Sequence, residues 1–468
     1  MTRLHELSAT ELSRLYATRA VSPVEAVRAV IDHIARWEPR LCALYAHDPE
    51  SALAAARAAE ARWQAGAPLS PLDGVPLTLK ENIATRGVPL PAGTAATELL
   101  PATEDAPPAA RLREAGCVLL AKTTMPDYGM LTSGLSSFHH LARNPWDLRL
   151  NPGGSSAGAA AAAAAGYGPL HVGTDIGGSI RLPAGLCGVF GLKPSLGRIP
   201  IKPPYAGRVA GPMTRSVADA ALLMAPLTRP DWRDTMSLPA QDIAWGALDI
   251  DVRGLRLGLL MDPGWGLPLE AETAAAVQAA ARAFEAAGAI VEPVAPFSTR
   301  EMIDGLDRFW RIRSFLDISA LPAERQARVL PYIRQWVATG ATLSGAEVFH
   351  GYSQMGALRE AAVRACQPHD FVLSPVNPVA GYPAEWASPI NDPQRPFEHI
   401  AYTLPYNMSE QPAASINCGH TAAGLPIGLQ IVGRRHDDLG VLRLARAWEQ
   451  MRPAPRPWPV PPDAETGR

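Results

Sequence analysis

From Ala157 to Ala165 the chain carries nine consecutive residues with no side chain larger than a methyl group, seven of them an unbroken run of alanine after Gly158. Alanine has the highest helix propensity, so the run predicts a helix. It is too short and too weakly apolar for a membrane span or a signal segment. Such a helix has no large side chains to hold neighbours off, so other backbone can approach it closely.

The texture on either side predicts what surrounds that helix. Ser8-Ala-Thr-Glu11 and Ser22-Pro-Val-Glu25 both match the capping box, and an Ala- and Arg-rich stretch from Ser51 to Gln64 continues the helical pattern. Short apolar runs then alternate with helical segments between Gly and Pro: Val75–Leu79, Cys117–Ala121, Leu170–Gly173, Leu255–Leu260, Phe371–Leu373 and Ile427–Val432 read as strands. Ala271–Ala287 lies in helix-rich sequence. This alternation predicts an α/β architecture with a largely buried sheet. The reading divides the chain into an N-terminal helical layer (1–65), a core (66–226), a variable helix-rich region (227–370), a return to the sheet (371–452) and a Pro-rich tail (453–468). The late strands can rejoin the first sheet, so no independent domains are cut.

Composition excludes several classes of function. With 43 basic and 45 acidic residues and 19% charged, the chain is not an electrostatic nucleic-acid binder. The N-terminus lacks an apolar signal core and no run reaches membrane length, so a cytoplasmic protein without membrane contact is expected. The five cysteines (Cys42, Cys117, Cys187, Cys366, Cys418) are scattered and read as reduced. His139-His140 has no Cys, Asp or Glu at metal-ligand spacing, so no zinc site is expected.

The basic residues are skewed: only Lys80, Lys122, Lys193 and Lys202 are lysine, and the remaining 39 of the 43 are arginine. The scarcity fits compositional bias. The survivors carry more information, because a buried lysine can lose its proton and act as a base while arginine stays protonated. Lys80 closes an apolar run, where desolvation would favour the neutral form. Gly153-Gly-Ser-Ser-Ala-Gly158 sets two hydroxyls at the N-terminus of the alanine helix. In Gly173-Thr-Asp-Ile-Gly-Gly-Ser-Ile-Arg181 two glycines precede Ser179, so the N–H groups of Ile176, Gly177, Gly178 and Ser179 can converge on one oxygen, with Asp175 and Arg181 paired to brace the turn. Each segment alone has a bland alternative: a surface lysine, a Ser-rich helix cap, a tight glycine turn. Together they offer a base, a bridging hydroxyl and a hydroxyl nucleophile beside oxyanion donors.

With Asp73-Gly-Val-Pro76, Gly191-Leu-Lys-Pro194 and Gly424-Leu-Pro-Ile-Gly-Leu-Gln430, these segments make the chain resemble the amidase signature family, the Ser-Ser-Lys amidohydrolases, over nearly its whole length. The resemblance implies a single large domain with a central twisted mixed β-sheet covered by helices on both faces. It implies Lys80 as general base, Ser155 as the bridging serine after a cis peptide bond, Ser179 as the acylated nucleophile, and Ile176, Gly177, Gly178 and Ser179 as oxyanion donors. It also implies that Gly129, Met130 and Leu131, in Asp127-Tyr-Gly-Met-Leu131, line the substrate pocket with Ser155. The expected reaction is hydrolysis of a small, uncharged or aromatic amide through a Ser179 acyl-enzyme, without metal or organic cofactor. The partner set expected with it is a small-molecule amide, no nucleic acid, no membrane, and homodimerisation left open.

Departures from the family pattern are Ala157 in place of glycine, Thr124 in place of asparagine, and an unmatched stretch from Leu227 to Trp386. The alternative within the same chemistry is the glutaminase subunit of a tRNA-dependent amidotransferase. Leu182, where such subunits usually carry glutamine, and the Leu135–His140 insertion speak against it. A catalytically silent binding protein is disfavoured because all three reactive positions hold competent residues. Trp310, Phe315, Tyr332, Trp336, Tyr352, Tyr382 and Trp386 are candidates for an aromatic pocket wall, with more of them expected in the core.

Overall fold

In the computed structural model, which describes residues 3–462, both capping boxes close. Ser8 accepts from the Glu11 N–H at 3.2 Å and Ser22 from the Glu25 N–H at 3.1 Å, starting the helices Ala9–Ala17 and Pro23–Leu41. Met1, Thr2 and the end of the expected Pro-rich tail, 463–468, lie outside the described residues.

Eleven strands form one mixed sheet. In chain order they are β1 Leu44–Tyr45, β2 Pro76–Lys80, β3 Val118–Thr123, β4 Leu170–Asp175, β5 Phe190–Lys193, β6 Val209–Thr214, β7 Arg256–Leu259, β8 Ile290–Pro293, β9 Phe371–Pro375, β10 Ala413–His420 and β11 Pro426–Gly433. Across the sheet they run β1-β3-β2-β4-β6-β5-β10-β11-β9-β7-β8. The late strands therefore rejoin the first ones. β7 and β8 extend the sheet beside β9, so residues 227–370 supply an edge of the sheet as well as helices.

The pleat sends side chains to two covered faces. Leu77, Leu79, Leu170 and Val172 pack with Val217, Leu223, Val277, Phe284, Val441 and Leu444 from three helices. β2 and β3 pair Leu77 with Leu119, which turns Val118 and Leu120 to the opposite face, against Val27, Ile34, Trp37, Ala161 and Ala165. Every residue of the helix Ala157–Ala165 is buried. One side meets Ile180, Ala184 and Cys187; the other meets the helix Pro23–Leu41. A Cβ at Gly158 would stand 2.2 Å from the Ala43 carbonyl oxygen, so the close approach expected of this helix is realised. Its last carbonyls are capped by Arg215, which donates to Ala163 and Ala164 at 2.9 and 2.8 Å. No helix among the described residues is long and apolar enough to cross a membrane.

Candidate active site

β2 lies inside the sheet between β3 and β4 and is buried along its whole length, so its last residue, Lys80, carries its amine into the interior. There Lys80 Nζ donates to Ser155 Oγ at 2.8 Å. The adjacent Glu81 is occupied elsewhere, accepting from the Gly93 N–H at 2.8 Å and pairing with His139. Burial, and next the charge of Arg208, push the Lys80 pKa down to about 7, against the opposing pull of Asp175 and Glu81.

The two adjacent serines part company. Ser156 Oγ donates to the Thr174 carbonyl at 3.1 Å and accepts from the Thr174 N–H at 3.2 Å, which fastens it to β4. Ser155 follows a cis peptide bond and faces a cavity. Ser179 lines the same cavity, and its carbonyl accepts from the Ser156 N–H at 3.1 Å. Among the described residues no hydrogen bond joins the Ser155 and Ser179 hydroxyls directly; such contacts commonly tighten only with substrate bound.

β4 runs into the turn Ile176–Ser179, and Asp175 organises it. Its carboxylate accepts from the Gly178 N–H at 2.8 Å, the Ile180 N–H at 3.1 Å, and Arg181 at 3.0 and 3.1 Å. The expected Asp175–Arg181 brace is thus present, with both side chains fully buried. Burial would raise the Asp175 pKa, but Arg181, Lys193 and Asn407 hold it well below the usual carboxylate range. One expectation needs correction. The Gly178 N–H is spent on Asp175, so among the described residues the amides of this turn without a hydrogen-bond partner are those of Ile176, Gly177 and Ser179. Three more residues complete the brace: Thr403 and Asn407, which no motif marks, and Gln430, the last residue of the Gly424–Gln430 segment. Arg181 donates to the Thr403 carbonyl and Gln430 Oε1, each at 2.8 Å, and to Asn407 Oδ1 at 2.6 Å; Thr403 Oγ1 donates to the Gly177 carbonyl at 2.7 Å.

The cavity holds about 420 Å³. Gly129, Met130 and Leu131 line it with Ser155, and a Cβ on Gly129 would come within 3.2 Å of Ser155 Oγ. Of the candidate aromatic wall, Trp310, Tyr332 and Trp336 face the cavity, whereas Phe315, Tyr352, Tyr382 and Trp386 do not. Tyr128, from the same matched segment, lines it too; Tyr205 and Phe397 join it unforeseen, the latter because it lies in a loop far along the chain from the helices that it packs against.

Three of the four lysines are buried. Lys122 donates to Thr85 Oγ1 at 2.8 Å and Lys193 to the Pro194 carbonyl at 2.9 Å. Burial first pushes each of them, like Lys80, down to about 7. Unfolded lysine stays protonated to about pH 10.5, so between pH 7 and that value the unfolded chain binds more protons and folding gains as pH rises. The buried cysteines oppose this only above their unfolded value near 8.5. The melting temperature is therefore expected to rise from pH 7 to about 8.5, measured by calorimetry in low-salt buffer; a fall over that interval would contradict neutral buried lysines.

Comparison with known proteins fits this geometry. The chain is 38% identical to a protein of Myxococcus xanthus (strain DK1622) named as the A-type subunit of Glutamyl-tRNA(Gln) amidotransferase, over 96% of this chain and 98% of that one. Among solved structures it resembles a bacterial aryl acylamidase of the amidase signature enzymes, with TM-score 0.89 and 30% identity over 96% and 97% of the two chains. It also shares the fold of the corresponding A-type amidotransferase subunit of Thermotoga maritima, with TM-score 0.79 and 23% identity over 98% and 99%. The expected partner set, a small-molecule amide with no nucleic acid, does not survive the comparison: the curated relatives are named as subunits of an enzyme of glutamyl-tRNA(Gln). The family model called Amidase matches residues 25–442, and the chain belongs to that family, the amidase signature enzymes, hydrolases of amide C–N bonds.

Proposed function

We propose that the chain is a serine amidase working through Lys80, Ser155 and Ser179, and that it serves as the ammonia-releasing glutaminase subunit of a tRNA-dependent amidotransferase. The observation that carries the chemistry is the fully buried Lys80 amine 2.8 Å from the Ser155 hydroxyl. Neutral Lys80 takes the Ser155 proton as Ser155 takes that of Ser179, and Ser179 Oγ adds to the amide carbon. The negative oxygen is stabilised by the N–H groups of Ile176, Gly177 and Ser179, which the Asp175–Arg181 brace holds in place. Collapse of the adduct breaks the C–N bond, with the proton returning through Ser155 to the leaving nitrogen. Water then attacks the Ser179 ester by the reverse relay and releases the acid. The role in a larger enzyme rests on the amidotransferase relatives and implies protein partners and work in the cytoplasm.

A slowly hydrolysed ester is expected to leave one acyl group on the protein, mapped to Ser179 by intact-mass and peptide analysis. An adduct on Ser155 or Ser156 would reassign the nucleophile. For the role, glutamine hydrolysis is measured alone and with the remaining subunits of such an amidotransferase; a rise on their addition is expected, and no response would overturn it. A second reading, an amidase for amides with an aromatic part, is favoured by one observation: Trp310, Tyr332, Trp336 and Phe397 line the cavity together with Leu182. Anilide turnover exceeding glutamine turnover under all conditions would decide for it.

A further inference from the structure

Two guanidinium groups face the catalytic cavity from its wall, and their surroundings differ. Arg313 lies over the Tyr205 ring, 4.5 Å from its centroid, and its Nε is 4.0 Å from Asp317 Oδ2. The Arg208 guanidinium makes one hydrogen bond among the described residues, to the Pro203 carbonyl at 3.3 Å, and has no carboxylate of those residues within ion-pair distance. Two carboxylates line the cavity, Asp175 and Asp317. The first is taken by Arg181 and Asn407, and the second lies beside Arg313.

The position of Arg208 follows from strand register. β4 and β6 pair antiparallel with Asp175 opposite Val209, so Arg208 is the next residue outward, level with Ile176, where the oxyanion turn begins. Burial, and then the charge of Arg313, lower its pKa, the signature of a cation set among too little counter-charge. An uncharged amide, the substrate expected from sequence, would cover this group and leave it unpaired. A carboxylate would match the planar fork with two oxygens. The aromatic residues around it would hold the rest of the molecule.

We propose that Arg208 is a specificity-determining residue that binds a carboxylate on the substrate, so that the enzyme acts on amides carrying an acidic group. This rests on the amidase reading of the same cavity. It accommodates glutamine as well as an acid-tailed aromatic amide, and it disfavours neutral amides of either kind.

The test is separable from the catalytic reading because it uses binding to the Ser179→Ala protein, followed by titration calorimetry. Two pairs of probes are compared, each an acid and its methyl ester: glutaranilic acid, with the charge on the acyl side, and 4-acetamidobenzoate, with the charge on the amine side. In at least one pair the acid is expected to bind about 10- to 100-fold more tightly than the ester, the usual worth of a charge-assisted hydrogen bond. Adding Arg208→Gln should erase that difference while leaving ester affinity unchanged, and Arg208→Lys should keep part of it. Equal or weaker binding of the acids in both pairs, no measurable binding of either acid at millimolar concentration, or a preference that survives Arg208→Gln would overturn the proposal. Failure of the amidase reading would show elsewhere, as a missing acyl adduct on Ser179 in the unmodified protein.

Discussion

Lys80→Arg is expected to lower kcat by roughly 10³- to 10⁴-fold, the range typical of losing the group that accepts the nucleophile's proton. Arginine keeps a positive charge and a hydrogen-bond donor near Ser155, so binding and overall polarity change less than with an apolar replacement. What it cannot do is give up its proton. The unmodified enzyme should show the complementary behaviour. With the Lys80 pKa near 7, activity should fall as pH drops through that value, because protonation removes the base, and should level off above it. Steady-state kinetics from pH 5.5 to 9 with an ester and an amide would test both statements. An arginine variant with more than about a tenth of normal kcat would mean that another group takes the proton.

Arg181→Met should be the most damaging change away from the reacting atoms. It removes the guanidinium that donates to Asp175, Asn407, Gln430 and the Thr403 carbonyl, all in a fully buried setting. Methionine fills much of the volume but leaves the Asp175 charge uncompensated, a change that costs about 3–5 kcal/mol when one partner of a buried pair is lost. Asp175 also anchors the Gly178 and Ile180 amides, so any shift of its carboxylate loosens the turn that carries the proposed oxyanion donors. Protein that still folds should therefore lose about 10²-fold or more in kcat. Urea denaturation gives the first quantity and ester kinetics the second. The double variant Asp175→Asn/Arg181→Met should recover part of the stability and none of the activity, since it removes the buried charge without restoring the brace. A loss under about 1 kcal/mol in the single variant would show that Asp175 finds another counter-charge.

The legible part of this molecule was the part written locally. Lys80, Ser155 and Ser179 each stand in a short segment whose glycines or apolar neighbours betray a special backbone. β2 and β4 lie side by side and Ser156 is fastened to β4, which brings Lys80 to Ser155, 75 residues further along the chain. The buried alanine helix was legible for the same reason. What escaped depends on pairings between distant segments. Asn407 lies 226 residues beyond Arg181, where a lone amide has no pattern to distinguish it; Gln430, 249 residues beyond, ends a segment that marks the family without showing what its side chain holds. The withdrawal of the Gly178 amide is local, with an Asp three residues earlier, but only the folded turn shows that its carboxylate reaches back to that N–H. β6, with Pro212 and Gly211 inside it, is not among the strands expected from sequence; tertiary pairing with β4 and β5 overrides its low strand propensity and sets Arg208 on the cavity wall.

The burial of Lys80, Lys122 and Lys193 also shapes how this protein meets reagents. Lys202, on an exposed loop beside Glu104, is the lysine whose amine solvent can reach readily, with 47% of its side chain accessible. Acylating dyes, crosslinkers and activated resins aimed at lysine would therefore act on the native protein at one side-chain address, and the Lys80 amine would survive immobilisation. Unfolding would expose three more amines, so the mass added by a lysine reagent becomes a direct count of how much of the core has opened.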